Sequence, residues 1–485
     1  MNSSAQDKSA PCVVWFRQDL RTKDNPALRA AADSGKPVIC LFILDDQNPG
    51  EWSAGGASLW WLHHSLNELS GKLEKAGGAL VLRRGDARKI IPDIMESTSA
   101  DSIFWNRRYA PFDIELDKIL KEDLQSGGYD VNTSNGRLLF EPWEVETQSG
   151  GPYRVFTPFW KAMQAKGINR EPLPEVTRLY GPKSLPNSDA LDDWALLPTK
   201  PDWAQGFKSE WSPGQSGALT RLKDFLNDAV GSYSDDRNRP DKTGTSGLSP
   251  HLHFGEISPL QIWSATQDRL AQEEVPADHA KTFLSEIAWR EFSYSLLFYN
   301  PKMLDKELNE KFRKFPWVSD REKLKAWQQG QTGYPVVDAG MRQLWQTGWM
   351  HNRVRMITGS FLVKHLLIDW REGMKWFWDT LVDADIASNT ASWQWIAGCG
   401  ADAAPYFRIF NPMTQGERFD PSGDYVRKYV PELQKMPKKH IHTPWEADAA
   451  VLKEAGVQLG KDYPYPIVDH KPARQAALDA YEKIK

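Results

Sequence analysis

Short apolar runs alternate with amphipathic stretches through the first 140 residues. Residues 12–16 (Cys-Val-Val-Trp-Phe), 38–43, 79–82 and 102–105 are almost wholly apolar. They are of strand length and rich in β-branched and aromatic side chains, the pattern of strands buried on both faces. Between them, helical periodicity runs through residues 26–32, 57–76, 87–96 and 113–124, the first opened by Asn25 as N-cap with Pro26 at the first helical position. This alternation predicts a doubly wound parallel sheet with its ligand crevice at the carboxyl ends of the strands. From about residue 141 to 215 the periodicity lapses and Pro and Gly punctuate the chain, from Pro142 through Gly150-Gly151-Pro152 to Pro213. That stretch reads as a long connector draped over the surface. After Gly217 the pattern is helical, almost without strand signal, through Gly398. The expected architecture is an α/β domain over 1–140, a connector over 141–215 and an all-α domain over 216–485.

Composition narrows the class. A chain of 485 residues is long enough for several cores. No run of eighteen apolar residues offers a membrane span, and Met1 to Ala10 are polar, so neither a membrane role nor export is expected, and the expected compartment is the cytoplasm. Cys12, Cys40 and Cys399 are too far apart for metal-ligand spacing or a disulfide framework and are expected to be buried thiols. The net charge of −4 excludes an indiscriminate coat for nucleic acid. Charge is nevertheless uneven: Lys281 to Lys375 hold sixteen Lys and Arg against ten Asp and Glu, so this segment is net +6 and the rest −10. One basic face on an acidic protein fits, and so does an ordinary solvated helix surface. Eleven of the 22 tryptophans lie between Trp263 and Trp395; large rings serve cores first, and this density invites a second explanation beside core packing.

Four stretches carry candidate chemistry. Thr243 to Gly255 pack hydroxyls and glycines ahead of a helix, where amide N–H groups suit a phosphate; a plain capped turn is the simpler account of that stretch alone. Glu286, Trp289 and Arg290 share one helix face, either as a projecting carboxylate, ring and guanidinium or as an ion pair beside a core Trp. Asn352 and Met356 fall four apart with Arg355 beside them, adaptable contacts for a flat heteroaromatic ring, while His351 and Arg353 read equally as structural. Asp383, Asp385 and Asn389 lead to Trp393 and Trp395. Their apolar surroundings suggest burial, where polar groups need partners such as a flavin edge and ribityl chain.

Together these stretches resemble the photolyase/cryptochrome family. The likeness runs through Thr332-Gly333-Tyr334-Pro335, Trp349-Met350-His351-Asn352-Arg353, Asp369-Trp370-Arg371-Glu372-Gly373, Trp393-Gln394-Trp395 and Pro405-Tyr406-Phe407-Arg408 to Pro412. Trp15-Phe16-Arg17-Gln18-Asp19-Leu20-Arg21 resembles the opening of the family's antenna domain. The resemblance implies a light-driven lyase that splits cyclobutane pyrimidine dimers in DNA with an electron from reduced FAD, acting as a monomer. It places Tyr233, Thr245, Ser246, Gly247, Leu248 and Ser249 around the flavin phosphates. Arg290, Asn352, Arg355, Asp383, Asp385 and Asn389 fall around the rest of the cofactor, with Asn389 facing N5. Gly247 departs from the Arg that relatives often carry. For the lesion it implies Glu286, Trp289, Asn352, Met356 and Trp395; for electron transfer, Trp393, Trp370 and Trp317; and for DNA phosphates, Arg237, Arg290 and Arg353. The dimer would leave the duplex to reach its pocket. The (6-4) enzymes carry two histidines where Asn352 and Met356 stand, which favours cyclobutane dimers.

Ser249 to Glu256 and Phe298-Tyr299-Asn300-Pro301 resemble class III bacterial members, which implies a 5,10-methenyltetrahydrofolate antenna. Tyr109 to Asp113 depart from the class I folate pattern, leaving Trp52, Trp105 and Asp113 as candidate antenna contacts. A cryptochrome-like photoreceptor is the main alternative. A light-independent flavin enzyme is another, for which the sequence offers no hydride-acceptor site.

Overall fold

The computed structural model describes residues 10–403 and 407–485. Met1 to Ser9 of the polar start, and Pro405 and Tyr406 of the family motif, lie outside the described residues. β1 (Cys12–Phe16), β2 (Val38–Leu44), β3 (Leu80–Arg84), β4 (Ser102–Asn106) and β5 (Asp130–Ser134) form one sheet in the order β3-β2-β1-β4-β5. Every neighbouring pair is parallel. The four expected helices are present as α1 (Pro26–Asp33), α2 (Gly56–Lys75), α3 (Ala87–Ser97) and α4 (Pro111–Ser126). Asn25 caps α1 as its residue type predicts, its Oδ1 accepting the Leu28 N–H at 3.1 Å.

Alternate residues of the inner strands serve two cores. Val13, Trp15, Ile39, Leu41 and Ile103 pack with α3 and α4, whereas Cys12, Val14, Phe16, Cys40 and Phe42 pack with α1 and α2. Because both faces are covered, these strands show no polar alternation in sequence. β5 escaped the sequence reading for the converse reason: this edge strand, Asp-Val-Asn-Thr-Ser, buries only Val131. The chain runs outward from β1 through β2 to β3, then returns past β1 to β4, so the crevice opens where this order reverses.

Within 141–215 the structure contains a helix, Phe156–Lys166, whose Phe159 and Met163 enter the core of the helical half. Pro158 obscures it in sequence yet sits in its first turn, where a missing N–H costs nothing. Beyond residue 215 the described residues form helices, and the longest, Ala277–Tyr299, packs against Ile386–Ala397, which packs in turn against Trp370–Thr380. Cys12, Cys40 and Cys399 are free and buried, and no helix among the described residues is long and apolar enough to cross a membrane.

The two halves interlock through the Ser249–Phe254 helix. Gly255 ends it at φ +67°, and a Cβ there would lie 2.0 Å from the Gln18 carbonyl oxygen, so only glycine allows this approach to the loop after β1. The buried Arg21 guanidinium donates to the carbonyls of Asp24, Gly136 and Gly255 across the same junction. Trp61 of α2 donates to Glu256 at 2.8 Å, and the other Glu256 oxygen meets His251.

Candidate functional site

A cavity of about 670 Å³ opens in the helical half. Its floor is the amino end of the Ile386–Ala397 helix. Asp385 caps that helix, its Oδ1 accepting the Ser388 N–H at 2.9 Å, so the chain's own capping rule fixes a carboxylate there. The Asp385 Oδ2 accepts from the Tyr294 hydroxyl and from Arg137 at 3.2 Å. Burial alone would raise this carboxyl, but Arg137, then Arg290 and His253, outweigh it and hold it down at about 2. Asp383 is ionically paired to Arg355, which donates to both its oxygens at 3.0 and 2.8 Å, and it accepts from the Ser249 hydroxyl at 2.6 Å. One turn into the helix, Asn389 fixes its amide plane by donating to the Met374 carbonyl at 3.1 Å.

At the mouth stand Glu286 and Trp289 from the Ala277–Tyr299 helix, Asn352 and Met356 from Asn352–Ser360, and Trp395 from Ile386–Ala397. Glu286 pairs with Arg237 at 2.8 Å, not with Arg290 of its own helix face. Burial pushes its carboxyl upward against the pull of Arg237. Arg353 lies over the Phe419 ring at 4.6 Å and donates to Asn238 at 2.7 Å.

The structure therefore gathers Tyr233, Arg237, Ser246, Leu248, Ser249, Glu286, Trp289, Arg290, Asn352, Arg353, Arg355, Met356, Asp383, Asp385, Asn389, Trp393 and Trp395 around one cavity. Thr245 and Gly247 do not line it. Gly247, at φ +60°, turns toward a neighbouring helix, where a Cβ would stand 2.6 Å from Nη1 of Arg221. Trp370 and Trp317 also lie off the cavity. Trp370 is fully buried beneath the Arg371 guanidinium, and Trp317 is half-buried against Phe315 at 4.4 Å.

Four contributors were missed in sequence. Arg137 reaches Tyr294 and Asp385 from 157 and 248 positions away, so no local spacing announced it. Phe156 stacks on Trp289 from the supposed connector. Arg408 and Arg418 stand close enough to Arg353 to depress it, after burial and Arg237, and the basic composition of 281–375 stopped short of them.

The residues fit a large polar nucleotide. Among the described residues, Nδ1 of His253 and Nη2 of Arg290 are buried at the cavity without a hydrogen-bond partner, and burial holds His253 neutral at about 4. Buried polar atoms of this kind call for a ligand or water. A second cavity lies at the carboxyl ends of β1, β2 and β4, lined by Trp15, Arg17, Trp52, Arg108, Asp113 and Trp378 among others, with Nε1 of Trp15 and Nε of Arg17 and Arg108 lacking a hydrogen-bond partner among the described residues. Of the antenna candidates it includes Trp52 and Asp113. Trp105 is not part of it, being fully buried in the sheet core edge-on to Trp15.

Comparison with known proteins bears on both halves. Residues 12–177 match the family model described as DNA photolyase, and residues 283–483 the one described as the FAD binding domain of DNA photolyase. The chain is 54% identical to a deoxyribodipyrimidine photo-lyase of Agrobacterium fabrum, over 99% of each protein. It is 40% identical to Cryptochrome-1 of Arabidopsis thaliana, over 97% of this chain and 70% of that one. A crystal structure of a bacterial class III photolyase from Agrobacterium tumefaciens superposes with a TM-score of 0.96 at 53% identity, over 100% of this chain and 99% of that one. With relatives of this identity aligned end to end, the chain belongs to the photolyase/cryptochrome family.

Proposed function

We propose that this chain is a class III deoxyribodipyrimidine photo-lyase that binds FAD in the large cavity and splits cyclobutane pyrimidine dimers in DNA under light. The observation that carries the reading is the pairing of two walls within one cavity. The inner wall bears Arg355–Asp383, Asp385 and Asn389; the mouth bears Glu286, Trp289, Asn352, Met356 and Trp395. FAD held there would supply the light-driven one-electron chemistry that the cleavage needs.

The chain's residues do the rest. Tyr233, Ser246, Leu248 and Ser249 line the end suited to the phosphates, and Arg355, Asp383, Asp385 and Asn389 hold the polar edge, Asn389 at N5 without offering an acidic proton. Glu286 binds the bases: its raised carboxyl donates to a base carbonyl when protonated and accepts a base N–H when ionised. Trp289 and Trp395 pack on the saturated rings, and Asn352 and Met356 complete the pocket and exclude water. Trp393, Trp370 and Trp317 carry electrons from the surface to restore the cofactor. Arg237, Arg353, Arg408 and Arg418 take the strand's phosphates, positioning it without reading sequence. The second cavity takes a methenyl-folate antenna beside Trp52 and Trp378, whose rings pack edge to face at 5.7 Å on its wall. The enzyme works as a monomer.

The test is absorbance. Illuminated, reduced protein restores the thymine absorbance of irradiated oligothymidylate, and Glu286→Ala or Trp289→Ala lowers that rate at least tenfold at limiting substrate. Wild-type protein without light-dependent recovery contradicts the assignment.

A further inference from the structure

Trp289 and Trp395 approach the cavity from different helices, and a single residue outside both helices touches the support of each. Asp402 lies beyond the Ile386–Ala397 helix and lines the cavity. Its backbone carbonyl accepts the Nε1–H of Trp395 at 3.0 Å. Its carboxylate Oδ2 accepts the backbone N–H of Phe156 at 3.4 Å. The Phe156 ring in turn lies flat against Trp289, with centroids 3.7 Å apart and planes within 8°. Phe292 meets the edges of both rings, at 5.8 Å from Trp289 and 6.0 Å from Phe156, so the Trp289 indole is gripped on a face and an edge.

Asp402 adopts φ +53°, a conformation that side chains other than those of Asn, Asp and Gly adopt with strain. Burial raises the Asp402 carboxyl while the Phe156 amide opposes it, as a hydrogen bond to the ionised form must.

We propose that Asp402 and Phe156 are positioning residues for lesion capture, a clasp that fixes Trp289 and Trp395 in one mutual orientation before DNA arrives. The inference rests on the reading that these two indoles bound the dimer. A preset jaw spares the complex the cost of ordering two large side chains on binding, worth about three- to tenfold in affinity per ring. Undamaged DNA is held through its phosphates by arginines and does not enter the jaw, so it gains nothing from the clasp. The clasp therefore sets discrimination between damaged and undamaged strands.

The experiment measures affinity for a dimer-containing and an undamaged oligonucleotide, flavin content, and the repair rate at saturating dimer. Phe156→Leu removes the stacked ring and Phe156→Tyr keeps it. Asp402→Gly removes the carboxylate while suiting the left-handed backbone, and Asp402→Asn keeps an acceptor oxygen. The expected result is that Phe156→Leu and Asp402→Gly each weaken dimer binding about tenfold. Affinity for undamaged DNA, flavin content and saturated repair rate stay at wild-type values, and Phe156→Tyr and Asp402→Asn recover most of the loss. In a double-mutant cycle, Phe156→Leu combined with Asp402→Gly costs less than the product of the single losses, because the Asp402 carboxylate acts on Trp289 through the Phe156 ring. The clasp is overturned if Phe156→Leu and Asp402→Gly bind the dimer as wild type does, if both affinities fall together, or if the cycle is additive. Should wild-type protein itself fail to prefer the dimer, the photo-lyase reading falls first, and the two failures are thereby told apart.

Discussion

Glu291 is enclosed in the Ala277–Tyr299 helix, its Oε2 accepting the backbone N–H groups of Leu139 at 2.8 Å and Phe140 at 3.2 Å. Burial pushes this carboxyl up to about 7, against Arg290 and the two amides. A carboxyl whose pKa is higher folded than unfolded binds more protons in the native state. The stability it lends is complete below its ordinary 4.5 and drains as pH climbs toward 7. Glu291→Gln keeps an acceptor for the amides and removes the titration, so the thermal midpoint plotted against pH should flatten between about 4.5 and 7; an unaltered slope rules the account out. Asp385, held at about 2, stays ionised throughout that window and adds no slope of its own there. Legibility at this scale followed chain distance. Asn25 and Asp385 were readable because the amides they cap lie within one turn, and helical spacing put Glu286, Trp289 and Arg290 on one cavity although the partner of Glu286, Arg237, is remote in sequence. Arg137, whose hydrogen bonds span the molecule, left no trace in local pattern.

Helix meets helix closely at Gly373 of Trp370–Thr380. A Cβ there would lie 2.1 Å from Cη2 of Trp393, and the Phe377 ring meets the same indole at 5.0 Å. The absent side chain is what lets Trp393 lie between its own helix and this one while still lining the cavity. Gly373→Ala must displace the indole or spread the helices, a cost of roughly 1–3 kcal/mol for overpacking. The expected outcome is a lower thermal midpoint together with a reduced flavin absorbance per purified chain. A variant with full flavin content and wild-type stability would show that the indole has room to move. Elements were legible where periodicity was strong, which is why four strands and four helices of the first half matched within a few residues. β5 failed because an edge strand needs only one buried side chain. Phe156–Lys166 failed because Pro158 reads as a breaker unless its position in the first turn is known. The single-turn π-helix Phe361–His365, which continues Asn352–Ser360, has no period that sequence displays.

For the molecule as a whole, a net charge of −4 repels DNA at long range, so binding depends on where the minority charge is concentrated. Arg237, Arg353, Arg408 and Arg418 come from segments 181 residues apart at the extremes, yet the last two act with Arg237 to depress Arg353, the mark of like charges crowded together. Arg237 alone has a carboxylate, Glu286, while among the described residues none pairs with Arg353, Arg408 or Arg418. Such crowding is unfavourable in the free protein and is relieved when phosphates arrive, so the cluster stores its affinity for a polyanion. On duplex DNA each phosphate neutralised contributes about 0.9 to the slope of log affinity against log salt. Arg418→Ala should therefore reduce that slope by about 0.9 and weaken damaged and undamaged DNA by the same factor, since a phosphate contact carries no lesion information. That signature is the reverse of the one expected at the mouth, where Trp289→Ala should leave the salt slope intact and erase the preference for the dimer. If Arg418→Ala alters the preference and spares the slope, the arginine faces the lesion and the division of labour between rim and pocket is wrong.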